Sequence, residues 1–257
     1  MIQAVAESGA PPAFHAELDT DDFFADGGSK IGLGSSAALT VALAGALFTA
    51  AGRRAPTVDW LIDAHRRMQD GRGSGLDIAA SLRGGVLIYR LGSEAVDAAP
   101  VSLPPEIEWC CVWSGVSAST SDFLQKIAQW REREPSRYAA LMAELTETAD
   151  AGVTAVRHGD GAALLDAVTS YAELLARFGA DSGSDIVSRE HREIGAAAAA
   201  SGVPYKTCGA GGGDIGIALA ANVGKLAEFR RLIGQAGFRA LDLAVDPQGL
   251  SVRVSHE

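Results

Sequence analysis

Little in this chain of 257 residues speaks for metal, disulfide or polyanion-surface chemistry. Its three cysteines, Cys110, Cys111 and Cys208, show no paired ligand spacing and leave one over if two were bridged, so a reduced compartment fits best. His65 and His191 have no ligand-spaced partners and read as helix-surface or core residues. Positive charge is scarce: 22 Lys and Arg stand against 32 Asp and Glu, a net −10. That balance excludes a broad nucleic-acid or anionic-membrane surface, both of which need dense positive charge. An anionic ligand must then be held locally, by backbone amides and a few basic side chains. The uncharged run 31–52 is built of Ala, Gly and Ser rather than Leu, Ile and Phe, which predicts a buried helix and not a membrane span. No charged segment followed by an apolar one opens the chain, so no signal peptide is expected. There is no internal repeat, and a soluble cytoplasmic protein is the default expectation.

What is present is ordinary globular composition, 47% hydrophobic and 21% charged, with length for one large domain or two modest ones. The most informative stretch is Ile31-Gly32-Leu33-Gly34-Ser35-Ser36-Ala37-Ala38-Leu39, where two glycines and two serines open a long Ala/Leu/Val helix. A helix N-terminus carries unpaired N–H groups and partial positive charge, and glycine lets a phosphate approach them closely. A plain Gly/Ser helix cap is the alternative. A second glycine-rich segment, Lys206-Thr207-Cys208-Gly209-Ala210-Gly211-Gly212-Gly213-Asp214, lies far away in sequence, and two such loops suggest one polyanionic site.

Along the chain, Phe14–Leu18 reads as a short strand, 35–51 and 57–68 as helices, and Val86–Tyr89 as a strand after Gly84-Gly85. The stretch from Gly92 to Pro105, with three prolines, is the expected domain boundary. Beyond it come a strand at Glu108–Trp113, helices near 122–131, 135–157, 160–179 and 185–200, and strands at Tyr205–Cys208, Ile215–Ala220, Ala240–Val245 and Leu250–Val254. A helix at 222–237 lies among them. Helices and strands mixed without strict alternation predict an α+β fold.

Gly73-Ser74-Gly75-Leu76-Asp77 places a carboxylate just past a flexible turn, at the start of a short helix. Asp77 is either a helix N-terminal acid or a base or positioning acceptor for an alcohol or phosphate nucleophile. Phosphoryl transfer needs amide-rich loops, a hydroxyl beside Mg²⁺ and one carboxylate, and this sequence offers each. Ser35 or Ser36 could supply the hydroxyl, the other acting as a cap. Ser114 to Ser121 carries five hydroxyls in the nine residues from Trp113, a setting for a second anion or simply a surface turn. Lys206 immediately precedes the glycine loop, either as an anion contact or as a snorkelling surface lysine.

Taken together, Gly32-Leu33-Gly34-Ser35-Ser36-Ala37-Ala38 and Gly209-Ala210-Gly211-Gly212-Gly213 resemble the second and third motifs of the GHMP small-molecule kinases. The Gly73–Asp77 turn after Ala64-His65 and Gln69, the Trp113–Thr120 loop, and Asp214 after the triple glycine resemble bacterial phosphomevalonate kinases in particular. The resemblance implies an α+β fold of two parts, a ribosomal-protein-S5-type N-terminal domain (1–105, incomplete) and a ferredoxin-like C-terminal domain (106–257), with the active site between them. It implies transfer of the ATP γ-phosphoryl to 5-phosphomevalonate with Mg²⁺. Carried over by residue, Gly32, Leu33, Gly34, Ser35, Ser36 and Ala37 would cradle ATP, and Ser36 would meet the metal. Asp77 and Ser74 would be catalytic. Ser117, Ser119, Thr120, Lys206, Cys208, Gly209, Ala210, Gly211, Gly212 and Gly213 would bind the acceptor.

The family's first motif, of the Pro and Gly-Glu type, matches nothing here, and Cys208 stands where the family more often has serine. An S5-type sheet without its first strands would expose an edge, so association into a homodimer is expected alongside the small phosphorylated acceptor. Mevalonate or another small alcohol as acceptor is the alternative within the family. A truncated pseudokinase or binding protein is the alternative outside catalysis.

Overall fold

The computed structural model describes residues 15–25, 28–69, 71, 73–92, 96–118 and 120–254, with the backbone alone at 120–122. The chain divides into two units. The first comprises 1–23, 34–101 and 244–257; the second comprises 24–33 and 102–243.

In the first unit, α1 (Ser35–Ala50), α2 (Val58–Met68) and α3 (Leu76–Arg83) precede the hairpin of β1 (Val86–Leu91) and β2 (Val96–Val101). A 3-10 turn, Asp21–Phe23, lies before them. The Thr57 hydroxyl accepts the Trp60 N–H at 3.3 Å and starts α2, as its sequence signature predicts. Ala37, Val41 and Ala44 recur at helical spacing on α1 and pack with Leu61, Ile62 and Ile78 into one apolar core. β1 and β2 are antiparallel, in register from Val86↔Val101 to Leu91↔Val96. The expected loose boundary at Gly92–Pro105 therefore contains a strand. Pro100 is tolerated because, among the described residues, β2 is an edge with one neighbour.

The tail closes this unit through backbone bonds. The Gly85 N–H donates to Asp246 O at 2.7 Å, and the Leu250 N–H to Leu82 O at 3.2 Å. Leu250–Val254 alternates like a strand but forms none: its bond goes to the end of α3, and Val252 and Val254 face solvent. His15–Leu18, the described part of another expected strand, is likewise exposed and irregular, while Phe14 lies outside the described residues.

The second unit is a four-stranded antiparallel sheet in the order β4-β5-β3-β6, formed by β3 (Glu108–Trp113), β4 (Tyr205–Thr207), β5 (Ile215–Ala220) and β6 (Arg239–Leu241). Between β3 and β4 run α4 (Thr120–Arg133), α5 (Pro135–His158), α6 (Gly161–Ser182) and α7 (Arg189–Ser201); α8 (Val223–Gln235) joins β5 to β6. With α4–α7 taken as one crossover, the strand–helix–strand–strand–helix–strand sequence and this strand order are those of a ferredoxin-like sheet. The period of two in β5 sends Ala218 and Ala220 to a core with Ile194, Phe229 and Ile233, and Ile217 and Leu219 to one with Ile107 and Leu164. A third cluster, Trp130, Leu141 and Leu145, joins α4 to α5. β6 is shorter than the expected Ala240–Val245, because the chain passes into the first unit at Ala244. Among the described residues, no helix is long and apolar enough to cross a membrane.

Candidate functional site

In the first unit the N-terminus of α1 faces the turn that opens α3. Gly34 is the N-cap of α1, at φ 75°, a left-handed conformation in which glycine carries no steric cost. It has no side-chain cap, so no side chain covers the backbone at this half-buried end of the helix. Asp77 stands against it: a Cβ built on Gly34 would lie 3.3 Å from Asp77 Cβ and 3.4 Å from its Cγ. The approach depends on Gly75, the left-handed cap of α3, where a Cβ would run into Ile62 Cδ1 at 2.5 Å. Asp77 itself is exposed, and its carboxylate is therefore open to a ligand.

Ser36 Oγ lies 3.0 Å from His65 Nε2, and the Gln69 amide lies 3.3 Å from the same nitrogen. With Gln69 donating, Nε2 is an acceptor and the imidazole is neutral with its proton on Nδ1. Burial holds the His65 pKa below its ordinary value, while Asp77 pulls it upward. The Ser36 hydroxyl thus donates to His65, and its oxygen keeps its lone pairs. Ser74 has its Oγ accepting the Leu76 N–H at 3.3 Å, and its carbonyl accepts the Tyr89 hydroxyl. Arg66 Nε donates to Gly73 O at 3.0 Å, so both ends of the turn are tied down.

In the second unit Asp214 organises the glycine loop. It is the one non-glycine among the described residues with positive φ, 57°. Its N–H donates to Val116 O at 2.7 Å, its carbonyl accepts the Ser114 N–H at 2.8 Å, and Oδ1 accepts the Ala118 N–H at 3.3 Å. Burial pushes its carboxyl above the usual range, against the Ala118 N–H and the Lys30 charge. A Cβ on Gly32 would overlap Asp214, coming 2.5 Å from Cγ. One aspartate therefore draws the loops at 30–33, 114–118 and 209–213 together.

The structure places Gly34, Ser35, Ser36, Ala37, Ser74 and Asp77 in the first unit. Gly32, Leu33, Ser117, Lys206, Cys208, Gly209, Ala210, Gly211, Gly212 and Gly213 lie in the second. Ser117, Gly209 and Ala210 are exposed; Gly211 and Gly213 are buried against neighbouring backbone. The Lys206 ammonium donates to Thr207 O at 2.7 Å and sits 5.9 Å over the Tyr171 ring, so it is engaged on the α6 side of β4. Burial raises the Cys208 thiol pKa, leaving it protonated and a poor nucleophile. Ser119 lies outside the described residues, and for Thr120 only the backbone is described.

Two long-range contacts of the candidate site are not encoded in any local pattern. His65 was readable only as a helix residue, because its partner Ser36 is 29 positions away. Asp214 was visible as the residue after three glycines, yet its grip on the 114–118 loop spans 96 positions.

Residues 6–85 match the family described as GHMP kinases N terminal domain. The phosphomevalonate kinase of Streptomyces sp. (strain CL190) is 30% identical over 220 residues, 75% of this chain and 58% of the relative, so the chain spans less than two thirds of that relative's length. Among solved structures, Streptococcus pneumoniae phosphomevalonate kinase, in complex with phosphomevalonate and AMPPNP, superposes with TM-score 0.72 at 20% identity, covering 87% of this chain and 71% of that one. A Listeria innocua protein reaches TM-score 0.78 at 22% identity, covering 87% and 69%. These likenesses carry the α+β fold, and over residues 6–85 the sequence matches the GHMP kinases N terminal domain, with similarity to a phosphomevalonate kinase running along three quarters of the chain.

Proposed function

We propose that this chain is an ATP-dependent phosphotransferase that converts 5-phosphomevalonate to 5-diphosphomevalonate. The observation that carries the reading is the Asp77 carboxylate set against the Cβ-less Gly34 at the N-terminus of α1. The relative at 30% identity supports this choice of acceptor.

The N–H groups and dipole of α1 favour a phosphate, and Gly34 leaves room for it against the backbone. Ser35 and Ala37, on the same helix end, are assigned to the cradle with it, and Gly32 and Leu33 to the nucleotide. The oxygen set fits a hard cation, since the Ser36 hydroxyl offers lone pairs once its proton is shared with His65. Ser36 would hold Mg²⁺ together with nucleotide oxygens and water. Bound there, the ion would neutralise charge building on the phosphate oxygens.

An acceptor phosphate oxygen forms the new bond to the γ-phosphorus, the bond from that phosphorus to the β–γ bridging oxygen breaks, and ADP leaves with the electron pair. Asp77 accepts the hydrogen bond of a protonated acceptor oxygen, turns it toward attack and takes its proton as the new bond forms, and Ser74 holds the same group. Ser117, Ser119, Thr120, Lys206, Cys208 and the loop Gly209–Gly213 are assigned to the acceptor.

ADP release from Mg-ATP with 5-phosphomevalonate and with mevalonate, for the chain and its Asp77→Asn variant, tests the reading. Turnover on 5-phosphomevalonate that disappears in the variant supports it. Turnover on mevalonate alone moves the activity to the other acceptor, and no turnover on either removes the assignment.

A further inference from the structure

The glycine loop is gripped from behind by groups outside its own sequence. His191, in the first turn of α7, is almost wholly buried, with 1% of its surface exposed. Its Nε2 lies 2.8 Å from Gly213 O and its Nδ1 2.7 Å from the Tyr205 hydroxyl. A carbonyl can only accept, so Nε2 carries the proton and donates to Gly213. In the neutral ring Nδ1 accepts from Tyr205, and burial, which lowers the His191 pKa, favours that neutral form.

The same segment grips the loop a second time. The Gly212 N–H donates to Ile186 O at 2.7 Å, and a Cβ on Gly211 would overlap that carbonyl. Tyr205 is itself fixed: its ring packs on Phe229, and its hydroxyl fills the space over Gly216 where a side chain would stand. A chain of contacts thus runs from the β4 strand through Tyr205 and His191 to the peptide joining Gly213 to Asp214. That peptide's N–H is the one that reaches Val116 O in the opposing loop.

From this geometry we infer that His191 and Tyr205 are positioning residues: they fix the Gly213–Asp214 peptide and so set the shape in which the glycine loop meets the acceptor. Neither touches the reacting atoms. The inference rests on the phosphotransferase reading for its kinetic consequence only, since the hold on the loop is a property of the second unit alone. Ser188 caps α7 through the His191 N–H at 3.3 Å, so the helix start survives when the imidazole is replaced.

The test compares wild type, His191→Asn, His191→Gln and Tyr205→Phe by two readouts. Glutamine places an N–H near the Nε2 position and keeps the donor to Gly213; asparagine does not reach it. Hydrogen exchange of the 209–216 segment is expected to quicken about tenfold in His191→Asn, the loss of one buried hydrogen bond, and to return to within about threefold of wild type in His191→Gln. The KM for 5-phosphomevalonate is expected to rise about tenfold in His191→Asn with a smaller change in kcat, and Tyr205→Phe to fall between.

Exchange in His191→Asn at the wild-type rate overturns the inference. So does equal damage in the asparagine and glutamine variants that tracks a common loss of melting temperature. If wild type turns over neither acceptor, the phosphotransferase reading fails, and the exchange readout still decides the role of His191.

Discussion

The Asp214 side chain rests directly on the α-carbon of Gly32, with a Cβ at Gly32 falling 2.9 Å from Asp214 Oδ2 and closer still to Cγ. Two glycine-containing loops, 182 positions apart by residue number, are thereby locked through a glycine that cannot be replaced and an aspartate held in a left-handed conformation. Gly32→Ala suffers both overlap and strain, since its φ is 91°. A loss of about 2–4 kcal/mol is expected from overpacking plus an unfavourable φ. Chemical denaturation checks it, with Asp214→Gly in the same chain expected to recover the overlap part. Wild-type stability in the single variant would mean that the two residues do not touch.

Gly34→Val tests the cradle. The left-handed cap costs a non-glycine residue about 1–2 kcal/mol, which leaves the fold standing. The added branches fill the approach to the helix N-terminus beside Asp77. Nucleotide affinity measured by calorimetry is expected to fall beyond detection while the far-ultraviolet dichroism is kept. Unchanged ATP binding would reduce Gly34 to a helix cap.

Asp77→Asn keeps size and removes charge at an exposed position. Turnover is expected to fall about 10²–10⁴-fold with the melting temperature unchanged, the span for loss of a positioned acid–base group. A variant with wild-type kcat would assign Asp77 to the helix alone.

Ser36→Ala removes the oxygen assigned to the cation. The KM for Mg-ATP is expected to rise about tenfold, and raising free Mg²⁺ should not restore it, because a hydroxyl donor is lost and not merely weakened. His65→Gln is expected to show a smaller rise, since Ser36 keeps its oxygen but loses its fixed orientation. An Ser36→Ala enzyme with wild-type Mg-ATP kinetics would remove the serine from the nucleotide site.

Acid should weaken the fold through its two buried histidines. His65 and His191 both have folded pKa values below the unfolded one, near 6.5. The unfolded chain therefore binds protons first: their contribution is complete above about pH 6.5 and declines as the pH falls toward the folded values. Asp214 acts in the opposite sense, because its carboxyl is raised: its penalty is present at neutral pH and relieved as the pH falls through the folded value. Urea midpoints between pH 7.5 and 5.5 should fall in wild type and fall less in the His65→Gln, His191→Gln double variant. Parallel curves for the two proteins would contradict the shifts.

Local patterns were legible wherever a residue's neighbours in sequence are also its neighbours in space. The uncharged Ala/Leu/Val run of α1, the Thr57 cap, the Glu108–Trp113 and Ile215–Ala220 strands and the two glycine loops are of that kind. Alternation misled at Leu250–Val254, because a strand also needs a partner edge, and the tail instead spends its backbone on Leu82 and the 84–85 corner. At Gly92–Pro105 the chain does pass from one unit to the other, after Val101, yet the stretch also holds a strand, because an edge strand does not need every N–H.

The sequence by itself determined the chemistry available: glycine-rich turns at Gly34 and Gly209–Gly213, a carboxylate at Asp77, hydroxyls at Ser35 and Ser36, and too little positive charge for a polyanion surface. Tertiary structure alone decided which of these groups are tuned and held. The pairings Ser36 with His65, Gly32 with Asp214 and Gly213 with His191 join residues 22 or more positions apart, so no local pattern encodes them. Their pKa values follow from burial, which exists only once the chain has closed around them.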